Sequence, residues 1–240
     1  MRATPSAVGF PGATGRAGSV ARMVLNPGIP PLIAHDMALG LALVAGADEA
    51  GRGCLAGPIV AAAVCLDMTA LDSSALDALR GLDDSKRLTA RRRAALVPAI
   101  LRIAHQVVVV SAPPRAIDTD GLHATNLRII RRALAMLDPV PGIALVDGFA
   151  LGDDAPPHRQ VVRGDSTSAA IAAASVIAKE TRDRLMRGPA AAAYGDYGFE
   201  RHVGYITAEH SEAVRTWGPT PLHRRSFRTA AYGGDPTLFA

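Results

Sequence analysis

The chain has 240 residues, 49% of them hydrophobic, and carries 26 Lys plus Arg against 22 Asp plus Glu, a formal net charge of +4. That length can bury one good core with an appendage, and the basic balance favours a polyanionic partner. No run reaches the roughly 18 apolar residues of a membrane span, and Cys54 and Cys65 stand at no metal or disulfide spacing, so the expectation is a chain without a membrane span, disulfide framework or cysteine zinc site, in a reducing, cytoplasmic setting.

Residues 1–35 hold Arg2, Arg16 and Arg22 but no acid, and prolines and glycines recur through them. That composition spoils a long amphipathic helix. The expectation is a disordered leader over residues 1–40 whose deletion leaves folding and activity nearly unchanged.

Two apolar runs follow, Leu41 to Ala47 and Gly57 to Leu66, with Asp48, Glu49 and then Gly51-Arg52-Gly53 between them. This reads as a hairpin with two acids at its bend. Neighbouring strand residues point to opposite faces, so the two acids can share a ligand only where the extended geometry breaks. Gly51 and Gly53 can supply that break or admit another molecule to the backbone, and Arg52 offers a planar fork suited to phosphate.

Ala75 to Leu79 predicts one helical turn. Asp84-Ser85-Lys86 then reads equally as the lead-in to a helix or as a phosphate contact. Thr89 caps that helix, whose apolar face holds Leu96, Ile100 and Ile103, with Pro98 implying a kink. Gln106 to Ser111 is a β-branched strand, Pro113-Pro114 a break, and Ala124 to Leu137 a helix with Leu127, Ile130, Leu134 and Leu137 on one stripe. Ile143 to Val146 is a short inner strand ending at Asp147.

After Val161-Val162, an Ala-rich helix is expected to open at Arg163 to Ser166 and to end near Met186, with Asp165 or Ser166 as its cap. Ser175, Lys179 and Asp183 share a face of it, and Lys179 with Asp183 reads as a surface ion pair. Lys86 and Lys179 are the only lysines, and every other basic residue of the 26 is arginine. From Tyr194 aromatics alternate with basic residues, which suits a nucleic-acid strand or the core of a small helical subdomain. Thr207 caps a helix there that Gly218-Pro219 closes.

Strands with acids at their ends can bring Asp48, Glu49, Asp147 and Asp165 together. Clustered carboxylates repel unless cations neutralise them, and hard oxygen ligands without a Cys or His cluster select two Mg²⁺ or Mn²⁺ ions over Zn²⁺. Such a pair can activate water against a phosphodiester.

The segments Ala47 to Gly53, Leu55 to Pro58, Gly81 to Lys86, Val146 to Gly148, Gly164 to Ser166 with Ala172 to Lys179 and Arg182-Asp183, Gly204 to Thr207 with His210, and His223 to Phe227 jointly resemble ribonuclease HII, the type 2 ribonuclease H family, over roughly residues 44–228. The resemblance implies a ribonuclease H-like α/β fold: a mixed five-stranded sheet, its first three strands antiparallel, flanked by helices, with a C-terminal helical extension. It implies an endonuclease cutting the RNA strand of RNA/DNA hybrids and incising at single ribonucleotides in duplex DNA. Asp48, Glu49, Asp147 and Asp165 are then the metal-binding carboxylates. Gly51, Arg52, Gly53 and Tyr205 are expected to sense the junction, and Lys86 with Ser85 to contact phosphate.

The division expected is a leader over 1–40, a catalytic domain over 41–190, a substrate-binding extension over 191–228 and a tail over 229–240, in a monomer. Cys54 stands where the family commonly has proline. Two other readings are a different polynucleotidyl transferase of the same fold, against which Gly51-Arg52-Gly53 and Tyr205 argue, and a binding module without catalysis, against which the four acids argue.

Overall fold

In the computed structural model, which describes residues 28–232, the two apolar runs form β1 (Leu43–Ala50) and β2 (Ile59–Asp67). They pair antiparallel, with Asp48 opposite Ala62 and Glu49 opposite Ala61. Both acids therefore lie within β1 and not in the bend. β3 (Gln106–Ala112) extends the sheet antiparallel to β2, while β4 (Ile143–Asp147) runs parallel to β1 and β5 (His158–Val161) parallel to β4. The order is β3-β2-β1-β4-β5. β1 and β4 thus end at the same edge, where parallel strands present functional groups.

The longer helices in chain order are α1 (Pro31–Met37), α2 (Ser73–Leu79), α3 (Ala90–Ile103), α4 (Pro114–Asp120), α5 (Leu122–Ala135), α6 (Ala169–Leu185) and α7 (Ala208–Trp217). Thr89 caps α3 by accepting from the Arg92 N–H, and Thr207 caps α7 by accepting from the His210 N–H. α7 closes at Gly218, φ 75°. Pro113-Pro114 proves to be the start of α4 as well as the end of β3, because proline suits the first helical turn.

One face of the sheet packs on α6 with α1 and α3, and the other on α5. Along β1 the side chains alternate accordingly: Val44 and Ala50 join the α6 side, Ala45 and Ala47 the α5 side. α6 is buried around most of its circumference from Ala169 to Ala178. Its small residues let it lie directly on β1, and a Cβ at Gly46 would stand 2.1 Å from the backbone of Ala170 and Ile171.

The third core joins Leu55 and Ala56, next to the hairpin bend, to Met186, Phe199, Val203 and Val214 of the C-terminal part. The expected tail boundary is corrected there, since Ala231 is buried in this core and Ala230–Tyr232 form a helical turn. The rest of the tail, 233–240, lies outside the described residues.

The leader is corrected too. Residues 1–27 lie outside the described residues, but α1 is a docked helix whose Ile33 and Met37 are buried with Ile29 in the α6 core. Its anchor is Asp36, fully buried, whose Oδ2 accepts from Ser168 Oγ at 3.0 Å and from the Ala170 N–H at 2.9 Å. A carboxylate on the first turn of α6 meets both the free amides and the positive end of the helix dipole. Asp36→Ala strands those donors in the core, so a loss of about 2–4 kcal/mol is expected, read as a lower urea midpoint. Deletion through residue 40 should likewise destabilise, reversing the expectation from composition. An unchanged midpoint for Asp36→Ala would contradict this role.

Candidate active site

Three carboxylates converge at the shared edge. Asp48 near the end of β1, Asp147 at the end of β4 and Asp165 after β5 each place an oxygen within 4.8 Å of the others. Backbone geometry dictates this. Arg163 takes the left-handed conformation (φ 54°), turning the chain so that the Gly164 N–H donates to Asp147 Oδ1 at 2.6 Å. A short 3₁₀ turn, Gly164–Ser166, then presents Asp165.

The cap of α6 is not Asp165 or Ser166 but Ser168, whose Oγ accepts from the Ile171 N–H. Asp165 is therefore left free of a capping duty and faces the other two acids. A non-glycine residue at positive φ costs on the order of 1–3 kcal/mol and persists where a site requires it.

Glu49 is not in this trio. One residue on from Asp48 it points to the α5 side, next to Asn126, with Arg52 Nε 3.8 Å from its Oε1. Its Oε2 is buried with no hydrogen-bond partner, as are both amide atoms of Asn126. The Glu49 N–H meanwhile donates to Asp48 Oδ1 at 2.7 Å. The two acids thus reach the site edge from opposite faces of one strand.

The electrostatics suit a cation. Burial, then the charges of Glu49 and Asp147, push the Asp48 carboxyl up to about 8, against the relief offered by Ser175. Burial, then Asp147 and Asp84, push Asp165 up to about 6, against Lys86. Burial raises Glu49 as well, offset by Asn126 and Arg52. Among the described residues, no Lys or Arg makes an ion pair with Asp48, Asp147 or Asp165. Like charges gathered and left without a counterion fit hard divalent cations, and the all-oxygen donor set fits Mg²⁺ or Mn²⁺.

This gives a stability test. A carboxyl raised from 3.8 to about 8 on folding holds a proton that the unfolded chain has lost, so its contribution is fully present below about pH 4 and is lost as pH rises through about 8. Asp165 acts likewise between about 4 and 6, but His210 and His223, lowered to about 4, act in the opposite sense up to their ordinary 6.5.

The clean window is therefore pH 6.5 to 8. There Asp48 contributes a fall of up to about 1.4 kcal/mol per pH unit in metal-free protein. His35, raised by its bond to Asp36, adds a fall of its own. Thermal melts should show the fall, Asp48→Asn should make it shallower, and Mg²⁺ or Mn²⁺ should flatten it by displacing protons. A slope identical in the variant would contradict the shift.

Of the other residues singled out from sequence, Lys86 is exposed and its charge acts on both Asp165 and Glu49. Ser85 is buried, its hydroxyl paired with that of Ser175 at 2.8 Å, so it braces the loop against α6. Lys179 and Asp183 are paired at 2.8 Å, yet Asp183 is buried and also meets Arg93, which corrects the surface reading. Lys179 Nζ also lies 5.1 Å from the ring centroid of half-exposed Tyr205. Arg52 stacks its guanidinium on Phe149 at 4.6 Å.

Two supports escaped the sequence reading, which gave Arg182 no role of its own and took Arg224 as a candidate for strand contact. Arg182 and Arg224 are fully buried beneath the Gly51–Gly57 loop and donate to main-chain carbonyls. Arg182 reaches Pro58, Ala56 and Val203, and Arg224 reaches Arg52 and Gly57. A Cβ on Gly51 (φ 98°) would stand 2.2 Å from Arg182 Nε, whereas nothing lies within 4 Å of one on Gly53. Gly51 is thus needed for the clamp, and Gly53 leaves backbone open to an incoming molecule.

Comparison with known proteins places these features in context. Residues 45–230 match the family model of Ribonuclease HII. A Ribonuclease HII of Azorhizobium caulinodans is 50% identical over 192 residues, covering 78% of this chain and 69% of its own. One from Nocardia farcinica is 46% identical over 222 residues, covering 90% and 84%. The ribonuclease H2 of Pyrococcus horikoshii OT3 matches in structure with a TM-score of 0.66 at 27% identity, covering 79% of this chain and 96% of that one. The sheet and its flanking helices are accordingly the ribonuclease H-like fold expected from the sequence.

Proposed function

The chain belongs to the ribonuclease HII family, and on that premise we propose that it hydrolyses the RNA strand of RNA/DNA hybrids and incises on the 5′ side of single ribonucleotides embedded in duplex DNA, leaving 3′-hydroxyl and 5′-phosphate ends. The observation that carries the reading is the convergence of Asp48, Asp147 and Asp165 with no ion-paired Lys or Arg among the described residues. Those three carboxylates, with Glu49 alongside, would hold two Mg²⁺ or Mn²⁺ ions. When bound, such ions supply Lewis acidity that lowers the pKa of water and offsets charge on a phosphodiester.

The chain's own residues do the rest. At neutral pH, Asp48 keeps a proton until a cation replaces it. Lys86, an exposed ammonium beside the acids, is placed to bind a phosphate, and Arg52, held flat by Phe149, offers a second contact. Something must also demand ribose, and the 2′-hydroxyl is the group that distinguishes it. The open backbone at Gly53, on a loop clamped from below, can approach that hydroxyl closely.

Tyr205, with Lys179 at its ring, is placed to pack on the following deoxyribose. A further hydroxyl would crowd that contact. Tyr205→Ala should reduce junction cleavage by about tenfold or more, as for a stacking contact of roughly 1–3 kcal/mol. The test is the mapped cut on a duplex with one ribonucleotide. Equal cutting of all-DNA duplex, or a Tyr205→Ala variant with unaltered rate and position, would refute the reading.

Among the described residues no helix is long and apolar enough to cross a membrane. The expected cytoplasmic location and monomeric state belong to this proposal.

A further inference from the structure

Behind Tyr205 lie three buried histidines, His202, His210 and His223, whose ring nitrogens are all engaged. Carbonyl oxygens only accept and main-chain N–H groups only donate, so each tautomer follows from its partners. His210 Nδ1 lies 2.8 Å from the Tyr205 carbonyl oxygen and must carry the proton. His223 Nδ1 accepts from the Thr220 N–H at 2.9 Å, so its proton is on Nε2. That nitrogen is 3.0 Å from His210 Nε2, which is left as the acceptor. His202 Nε2 donates to the Tyr197 carbonyl at 2.7 Å, and its Nδ1 accepts from the Gly204 N–H. The whole set closes with every ring neutral.

What it holds is a strained turn. Val203 sits at φ 46° and Gly204 at φ 85°, and a Cβ on Gly204 would meet the Ala56 carbonyl at 2.4 Å. The Tyr205 N–H donates to the His202 carbonyl and the Tyr205 carbonyl accepts from His210 Nδ1–H, so both of its main-chain groups are fixed. Unfavourable backbone of this kind persists only when its surroundings over-determine it. The next residue after His223 is Arg224, whose guanidinium holds the Arg52 and Gly57 carbonyls. One dipeptide therefore grips both the Gly51–Gly57 loop and, through His210, Tyr205.

We propose that His223 and His210 form a neutral relay that positions Tyr205 against the Gly51–Gly53 loop, and so sets preference for the ribonucleotide junction. They are positioning residues and touch no substrate. The inference rests on the reading of Tyr205 as the junction contact. Protonating His210 would put two donors against one another across the pair. Burial lowers both toward about 4, His202 and, at His223, Arg225 oppose charge, and Glu209 favours it on His210.

The test compares the full-length protein and its variants on two substrates, a duplex with one ribonucleotide and a uniform RNA/DNA hybrid. Taking the ratio of the two rates cancels effects on the shared carboxylates. His210→Leu, which removes the donor to Tyr205, should lower that ratio by about tenfold, matching Tyr205→Ala. His210→Asn, whose amide nitrogen stands near the lost Nδ1, should restore it. A folded His210→Leu variant with the wild-type ratio overturns the relay when Tyr205→Ala lowers it. If Tyr205→Ala leaves the ratio unchanged, the junction reading itself fails, and the proposal with it.

Should His210→Leu not fold, ring-nitrogen NMR of histidine-labelled wild-type protein decides. The expected spectrum at pH 6 shows His210 as the Nδ1–H tautomer, His223 as Nε2–H, and both neutral. His210 as Nε2–H, or charged at that pH, overturns the relay.

Discussion

Asp147→Asn should abolish turnover, with kcat reduced roughly 10³-fold or more, about 4 kcal/mol of transition-state stabilisation, while binding of the RNA/DNA hybrid changes little. The two halves of this expectation have different causes. In the proposed function, binding rests on phosphate contacts from Lys86, Arg52 and the loop, none of which Asp147 makes. Chemistry, in the same proposal, rests on the carboxylates. Asn keeps the acceptor for the Gly164 N–H, so the turn that presents Asp165 survives.

Asp48→Asn should behave alike, with one addition. It removes a buried group that resists ionisation, so at pH 8 the metal-free variant should be at least as stable as the wild-type protein. A group whose removal destroys activity and does not lower stability is there for function. Retained turnover in either variant, measured with hybrid in excess, would contradict the roles given to these acids.

Gly46→Ala should lower stability by on the order of 3 kcal/mol or more. Alanine is ordinarily the better strand residue by about 0.5–1 kcal/mol, so the sign depends wholly on packing. The added Cβ would stand 2.1 Å from the main chain of Ala170 and Ile171, and main chain cannot swing aside. α6 would have to lift from β1, disturbing the Ser168 cap and the Asp36 anchor at its start and Ser175 beside Asp48. Overpacking of this severity lies at the upper end of what single substitutions do. Urea denaturation followed by circular dichroism checks it, and a midpoint at or above wild type would contradict the close approach.

Local signals carried most of the architecture. Thr89, Thr207 and Gly218 mark helix ends in the sequence as they do in the structure, because capping is a matter of a few adjacent residues. The hairpin was legible from two apolar runs around glycines. What escaped depended on distant partners. α1 has seven residues and is fixed by Asp36, whose acceptor role toward Ser168 appears only when the chain ends of two helices meet. The start of α6 was misplaced because Asp165, Ser166 and Ser168 are all good caps, and the left-handed turn at Arg163 decides among them.

At the site, all four acids were legible as candidates, but period two already separated Asp48 from Glu49, and the structure follows the period. Asp84 acts on Asp165, whereas the sequence offered it only as part of a helix lead-in or a phosphate contact. The buried roles of Arg224, His210 and His223 were hidden, since basic residues among aromatics look the same in sequence whether they face a nucleic acid or a core, and that of Arg182 because its carbonyl partners lie far off in the chain.

The most direct measurement is single-turnover cleavage of a uniform RNA/DNA hybrid by the full-length protein in excess chelator, with Mg²⁺ or Mn²⁺ then returned. Cleavage absent in chelator, restored by either ion, and not restored in Asp147→Asn is the expected result. Cleavage at the full rate in chelator would contradict the assignment of Asp48, Asp147 and Asp165 to a cation site.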